Sequence, residues 1–209
     1  AQNIGQVFLG ANIKCASCHD SFVDRWKLED AYGLAAVYAT QPLEIHRCDK
    51  PTGKIAQAGW IFPELGQIDP QTPQLERLKQ LADLMTCKEN GRFGRTIVNR
   101  LWQRLMGRGI VHPVDAMQTE PWNADLLDML ACHLVDHGYD LRKTIELIVS
   151  SEAYRSRTAA AEEELGSEIY TYTYSGPLAK RLTAEQFVDA VWQIVGMELR
   201  KADAPIVRS

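Results

Sequence analysis

Residues 3–19 read Asn3-Ile4-Gly5-Gln6-Val7-Phe8-Leu9-Gly10-Ala11-Asn12-Ile13-Lys14-Cys15-Ala16-Ser17-Cys18-His19. Ile4, Val7, Phe8 and Ala11, with Leu9 beside them, recur at helical intervals, so the spacing predicts a helix over 3–13. That helix leads directly into C-x-x-C-H. Two thiols separated by two residues can each reach one of two neighbouring vinyl groups of a haem and add across it as a thioether. A histidine immediately after them falls beneath the iron as the proximal ligand. The expected cofactor is therefore one covalently attached haem c, anchored by Cys15 and Cys18 and ligated by His19.

Two other chemistries use paired cysteines. A thiol-redox C-x-x-C would follow a strand and open a helix within a βαβ unit, but the flanks here read as helical. A zinc site would need a second pair of ligands at metal-binding spacing. His46 with Cys48, or Cys132 with His133, offers donors, though neither forms another C-x-x-C. The sixth iron position has several candidates, chiefly Met117 and His112 in the irregular stretch 109–122 and His46 on a predicted hairpin. Met85, Met106 and Met129 fall at apolar positions of predicted helices and are expected in the core. His133 and His137 lie one helical turn apart and read as a solvated face. Cys48, Cys87 and Cys132 read as small buried or free thiols, and a disulfide among them stays open because spacing does not choose partners.

Further along, Leu28, Ala31, Tyr32, Ala35 and Val37 predict a helix over about 27–39, which Pro42 stops. Leu43, Ile45 and Arg47 alternate with polar neighbours, Lys50-Pro51-Thr52-Gly53 reads as a turn, and 55–62 is again extended. Together these predict a hairpin. Prolines 63, 70 and 73 mark 63–73 as a linker. Helices are then expected over about 74–86 and 93–106. Two more follow, one from an N-cap at Asn123 to about 136 and one from Asp140 to about 151. Residues 158–176, with an acidic run at 162–164 and tyrosines at 170, 172 and 174, read as a surface loop. Thr183-Ala184-Glu185-Gln186 is a capping-box pattern opening a last helix that reaches Val195. The fold class is mainly α: a helical c-type haem segment with a short β-hairpin (1–62), the linker, and a helical, bundle-like domain (74–209).

The chain has 209 residues, with 45% hydrophobic and 24% charged residues and a formal net charge of −4. That composition suits a globular protein with a sizeable core. It offers no basic stripe for nucleic acid. Arg92, Arg95, Arg100, Arg104 and Arg108 form the one basic concentration and read as a solvated helix face with some ion pairs. No apolar run approaches the ~18–20 residues of a membrane span. Lys50-Pro51-Thr52-Gly53-Lys54 lacks the first glycine and the following Ser or Thr of a phosphate loop. No hydrolase motif is present.

Several strings resemble the planctomycete-type cytochrome c proteins. Phe8-Leu9-Gly10, Cys15-Ala16-Ser17-Cys18-His19-Asp20, Asp24-Arg25-Trp26 and Tyr32-Gly33-Leu34-Ala35-Ala36 resemble their cytochrome-like domain. Arg95-Thr96-Ile97-Val98-Asn99-Arg100-Leu101-Trp102, Gly107-Arg108-Gly109-Ile110-Val111, Gly138-Tyr139-Asp140-Leu141 and Arg181-Leu182-Thr183-Ala184-Glu185-Gln186 resemble the domain that follows it. The resemblance implies a large exported protein of Planctomycetes or related bacteria, of which this chain is one piece, with no settled activity. Of functional residues it carries over only Cys15, Cys18 and His19. Ser21 departs from the pattern, in which a second histidine often follows the motif.

The expected role is electron transfer outside the cytoplasm, in a periplasmic setting, with a redox partner protein and other subunits of a larger assembly. An electron carrier is favoured over an enzyme. The alternatives are a non-redox interaction module with a structural haem and a haem enzyme with an open distal site.

Overall fold

The computed structural model describes residues 1–159 and 172–196. The chain forms two compact units, Ala1–Leu178 and Ala179–Ser209. Among the described residues it is mainly helical, with eight α-helices and one two-stranded antiparallel sheet.

Helix α1 (Gln2–Leu9) is shorter than its apolar spacing predicts. Gly10 takes the left-handed conformation (φ 55°), and the Ala11 N–H turns back to the Gly5 carbonyl at 3.0 Å. A Cβ at Gly10 would lie 2.1 Å from Met117 Cγ, so glycine serves both the helix stop and a close approach. Residues 11–14 are therefore irregular, and the motif begins after them. Helix α2 (Leu28–Ala36) buries Leu28, Ala31 and Leu34. The Asp30 carboxylate accepts the Lys27 N–H at 2.8 Å, satisfying an orphan donor of the first turn.

Strands β1 (Glu44–Arg47) and β2 (Lys50–Ile55) form the expected hairpin with a shifted turn. Arg47 pairs with Lys50, so Cys48 and Asp49 make the tip, and Lys50-Pro51-Thr52-Gly53 lies within β2. Cys48 supplies the positive φ (52°) of the turn. Side chains fix the register: Thr52 Oγ1 donates to the Ile45 carbonyl at 2.7 Å, and Glu44 Oε1 accepts the Gly53 N–H at 2.9 Å. After β2 the chain is not a strand. It wraps as coil, burying Ala58, Trp60, Ile61 and Phe62.

A short 3-10 turn (Pro63–Leu65) and the buried Ile68 lead to α3 (Gln74–Thr86), at the bounds the sequence predicts. A first core joins Leu9, Ala16, Trp26, Leu34, Phe62 and Leu81, among others, so it draws on residues before and after the proline-rich stretch.

Asn90 ends α3 and starts α4 (Gly91–Met106). Its Nδ2 donates to the Leu84 and Met85 carbonyls, while its Oδ1 accepts the Phe93 N–H. Asn123 and Asp140 cap α5 (Ala124–Asp136) and α6 (Leu141–Ser150) as their positions predict. The short α7 (Glu152–Arg155), opened by Ser151, has no counterpart in the sequence reading. A second core forms around Val98, Trp102, Met106, Leu130, Leu134 and Ile148. Within it Asn99 is fully buried and bonds Val111 through both its amide atoms, Nδ2 to the carbonyl and Oδ1 from the N–H, each at 2.9 Å. Met106 is core as expected and Met85 is partly buried, but Met129 is exposed, because α5 turns Leu127, Leu130, Ala131 and Leu134 inward instead.

The expected surface loop over 158–176 is partly packed. Tyr174 stacks on Trp122 (5.8 Å between centroids) and donates its hydroxyl to the Ala153 carbonyl at 2.8 Å. Residues 160–171, with the acidic run and Tyr170, lie outside the described residues.

The second unit holds α8 (Ala184–Ile194). Its capping box forms as the sequence predicts: Thr183 Oγ1 accepts the Gln186 N–H and Gln186 Oε1 accepts the Thr183 N–H. Met197 lies outside the described residues. Among the described residues, no helix is long and apolar enough to cross a membrane.

Candidate functional site

Cys15–Ser17 is a single 3-10 turn, in which the Cys18 and His19 N–H groups both return to the Cys15 carbonyl, at 3.1 and 3.2 Å. In a 3-10 turn residues three apart align, so the turn brings Cys15 and Cys18 together, with His19 next in the chain. Ala16 is fully buried beneath the turn, and Ser17 Oγ donates to the Lys14 carbonyl at 2.7 Å. Cys15 is exposed, while Cys18 and His19 are half-buried.

His19 Nδ1 lies 2.7 Å from the Asp20 carbonyl oxygen. A carbonyl only accepts, so Nδ1 carries the proton and the neutral ring keeps its lone pair on Nε2. Phe22 stacks on the imidazole at 4.6 Å between centroids. Phe22 and Val23 are 88% and 89% exposed, an unusual place for two large apolar side chains.

Asp20 fastens the motif to two elements. Its carboxylate accepts the Leu28 N–H at 2.9 Å, at the start of α2, and pairs with Arg47 of β1 at 3.8 Å. Ser21 Oγ accepts the Val23 and Asp24 N–H groups and so shapes the turn that presents Phe22. Neither role is visible in the spacing of C-x-x-C-H, although an Asp or Ser just before a helix is a capping signal.

At the hairpin tip, the Cys48 N–H donates to the Cys18 carbonyl at 2.8 Å. The Cys18 thiol is pushed above its ordinary range, first by its interaction with the Cys48 thiol and then by partial burial.

The arginine row of α4 has a further use besides ion pairs. Arg95 forms a two-pronged pair with Asp128 at 2.6 and 2.8 Å, and Arg100 pairs with Asp115. Arg100 also donates to the Gln6 and Val7 carbonyls at 2.7 and 2.9 Å, and Arg92 to the Leu9 carbonyl at 3.3 Å. Arg92 and Arg100 thus cap C-terminal carbonyls of α1, groups that a helix end leaves without intrahelical donors. Burial, and then the neighbouring charge of Arg25, lowers the pKa of Arg92.

The candidates for a sixth ligand are scattered. His46 is half-buried on β1, two residues from Cys48. Met117 packs on Gly10, its N–H donating to the Gly10 carbonyl and its sulfur accepting from Asn99 Nδ2 at 3.6 Å. His112 is exposed beside Pro113. At the end of α5, the His133 and His137 rings lie 4.1 Å apart; His137 is exposed, whereas His133 Nε2 is buried and without a partner among the described residues. Among the described residues, no three His, Cys, Asp or Glu side chains converge to hold a metal ion. A zinc cage of four protein ligands thus has no counterpart there, whereas a haem brings four nitrogens of its own and asks one or two ligands of the protein.

Fold and site together define a mainly helical protein that presents a C-x-x-C-H turn on a short-hairpin segment ahead of a helical core. Residues 77–209 match the family PSD1, described as a protein of unknown function (DUF1553), and the chain belongs to that family. Residues 1–42 are similar to a second family, PSCyt2, also described as a protein of unknown function (DUF1549). Both are uncharacterised domains of planctomycete-type cytochrome c proteins. The segment bearing the motif thus matches an uncharacterised domain where the sequence suggested a cytochrome-like one. No curated protein and no solved structure matches the chain.

Proposed function

We propose that this chain binds one haem c covalently through Cys15 and Cys18, with His19 as proximal ligand, and passes electrons outside the cytoplasm to a partner protein. The observation that carries the proposal is the pairing of closely spaced donors with an exposed apolar platform. Cys15, Cys18 and His19 share a turn, His19 has Nδ1 tied to the Asp20 carbonyl, and Phe22 and Val23 stand uncovered beside it. A flat apolar macrocycle attached at that turn would cover side chains that water otherwise surrounds.

When bound, haem c supplies one-electron exchange at iron. The protein's part is to hold and tune. Cys15 and Cys18 would hold the haem as thioethers, each adding S–H across a vinyl double bond, a step that needs no external oxidant. The Asp20 carbonyl fixes the His19 tautomer and orients its ring through Nδ1. Asp20 and the arginines that cap α1 keep the turn in register with α2, β1 and α4.

The test is intact-mass and optical spectroscopy of the full chain made in a host that matures c-type cytochromes. The expected product is heavier by one haem, shows a haem c α-band on reduction, and loses both signals in Cys15→Ser/Cys18→Ser. A product with no added haem overturns the proposal.

A further inference from the structure

We propose that Cys18 has a second covalent partner within the chain: Cys48 at the hairpin tip, with which it closes a reversible disulfide. The backbones are already joined, since the Cys48 N–H donates to the Cys18 carbonyl at 2.8 Å. Such a bond brings the two Cα atoms to roughly the 4.4–6.8 Å that a disulfide spans. Both cysteines are free thiols. Cys48 is exposed and Cys18 partly so, which lets a small disulfide reach them.

The turn itself does not ask for cysteine at position 48. Its φ of 52° lies in the left-handed region, where glycine or asparagine is the unstrained choice. Hairpin pairing and the bond to Cys18 hold the residue there nonetheless. The result is a thiol at the hairpin tip, where the backbone is bonded to the C-x-x-C-H turn.

The reaction is thiol–disulfide exchange with a small-molecule disulfide as oxidant. The exposed Cys48 thiolate attacks one sulfur, giving a mixed disulfide and releasing one small thiol. Cys18 then displaces the second small thiol and forms the Cys18–Cys48 bond. The protein loses two electrons and two protons, and the oxidant gains both. Resting on the haem proposal above, this bond withholds Cys18 from thioether formation until a reductant reopens it, so Cys48 makes haem attachment depend on redox conditions.

The experiment is peptide mapping of the haem-free full chain after incubation with oxidised glutathione, with free thiols alkylated before digestion. The expected result is a Cys18–Cys48 linked peptide that reductant abolishes, with Cys15, Cys87 and Cys132 alkylated, and no such peptide in Cys48→Ser. Haem supplied to the oxidised protein should attach at Cys15 at most, with attachment at Cys18 returning on reduction. A dominant Cys15–Cys18 link, or alkylation of Cys18 and Cys48 to the extent of Cys87, overturns the disulfide. Thioether formation at Cys18 as fast in oxidised as in reduced protein overturns its control of attachment. A chain that forms the link yet never takes haem overturns the haem proposal and leaves the disulfide standing.

Discussion

Around Cys15–His19 the backbone is held by groups reaching in from elsewhere, whereas around Trp102 neighbouring helices hold one another. The motif turn depends on the bond from the start of α2 to Asp20, on Cys48 at a hairpin tip and on arginines of α4 that cap α1. Its core mixes small residues such as Ala11, Ala16 and Ala31 with Trp26, Trp60 and Phe62, and the indole N–H groups of both tryptophans are buried without partners among the described residues. The second core is layered from α4, α5 and α6, and Asn99 satisfies a buried loop backbone completely. The contrast separates two jobs. A packed helical core supplies stability, and a small turn braced from elsewhere leaves Cys15 exposed and Cys18 and His19 half-buried.

The largest expected effect lies in the second core. Trp102 is buried and packs against Trp122 and Tyr174, so Trp102→Ala should cost about 3–5 kcal/mol. Denaturant unfolding of the full chain checks it, and a cost under about 1 kcal/mol would break the assignment of stability to this core.

The contact between the two regions comes next. Gly10→Ala forces a left-handed alanine whose Cβ would collide with Met117, so a loss of about 1–3 kcal/mol is expected. A thermal melt measures it. Unchanged stability would mean that the α1 stop and the 116–117 segment are not coupled.

The smallest effect on stability belongs to the motif itself. In the haem-free chain, Cys15→Ser should shift stability by no more than about 0.5 kcal/mol, because Cys15 is exposed and outside both cores. The same melt serves. A large loss would show that the turn bears structural load, which would sharpen the comparison against the division of labour drawn above.

Much of the helical half was legible because an amphipathic helix writes its period and caps into adjacent positions. Asn123, Asp140 and the Thr183–Gln186 box each mark a helix start where the structure has one. The hairpin was legible as alternation, but its turn was not, since Cys48 rather than Gly53 sits at the tip. The arginine row showed its charge and not its capping of α1, because those carbonyls lie more than 80 residues away in the chain.

By itself, the sequence determined the mainly helical class, the capped helices and the C-x-x-C-H turn with its three chemical groups. All of these follow from side chains within a few positions of one another, where helix period and covalent spacing act. Only the tertiary structure decided which side chains brace that turn, that Phe22 and Val23 are left uncovered, and that Cys48 meets Cys18. Those outcomes depend on how distant segments close on one another, and that closure is set by burial and hydrogen bonding summed over the whole core.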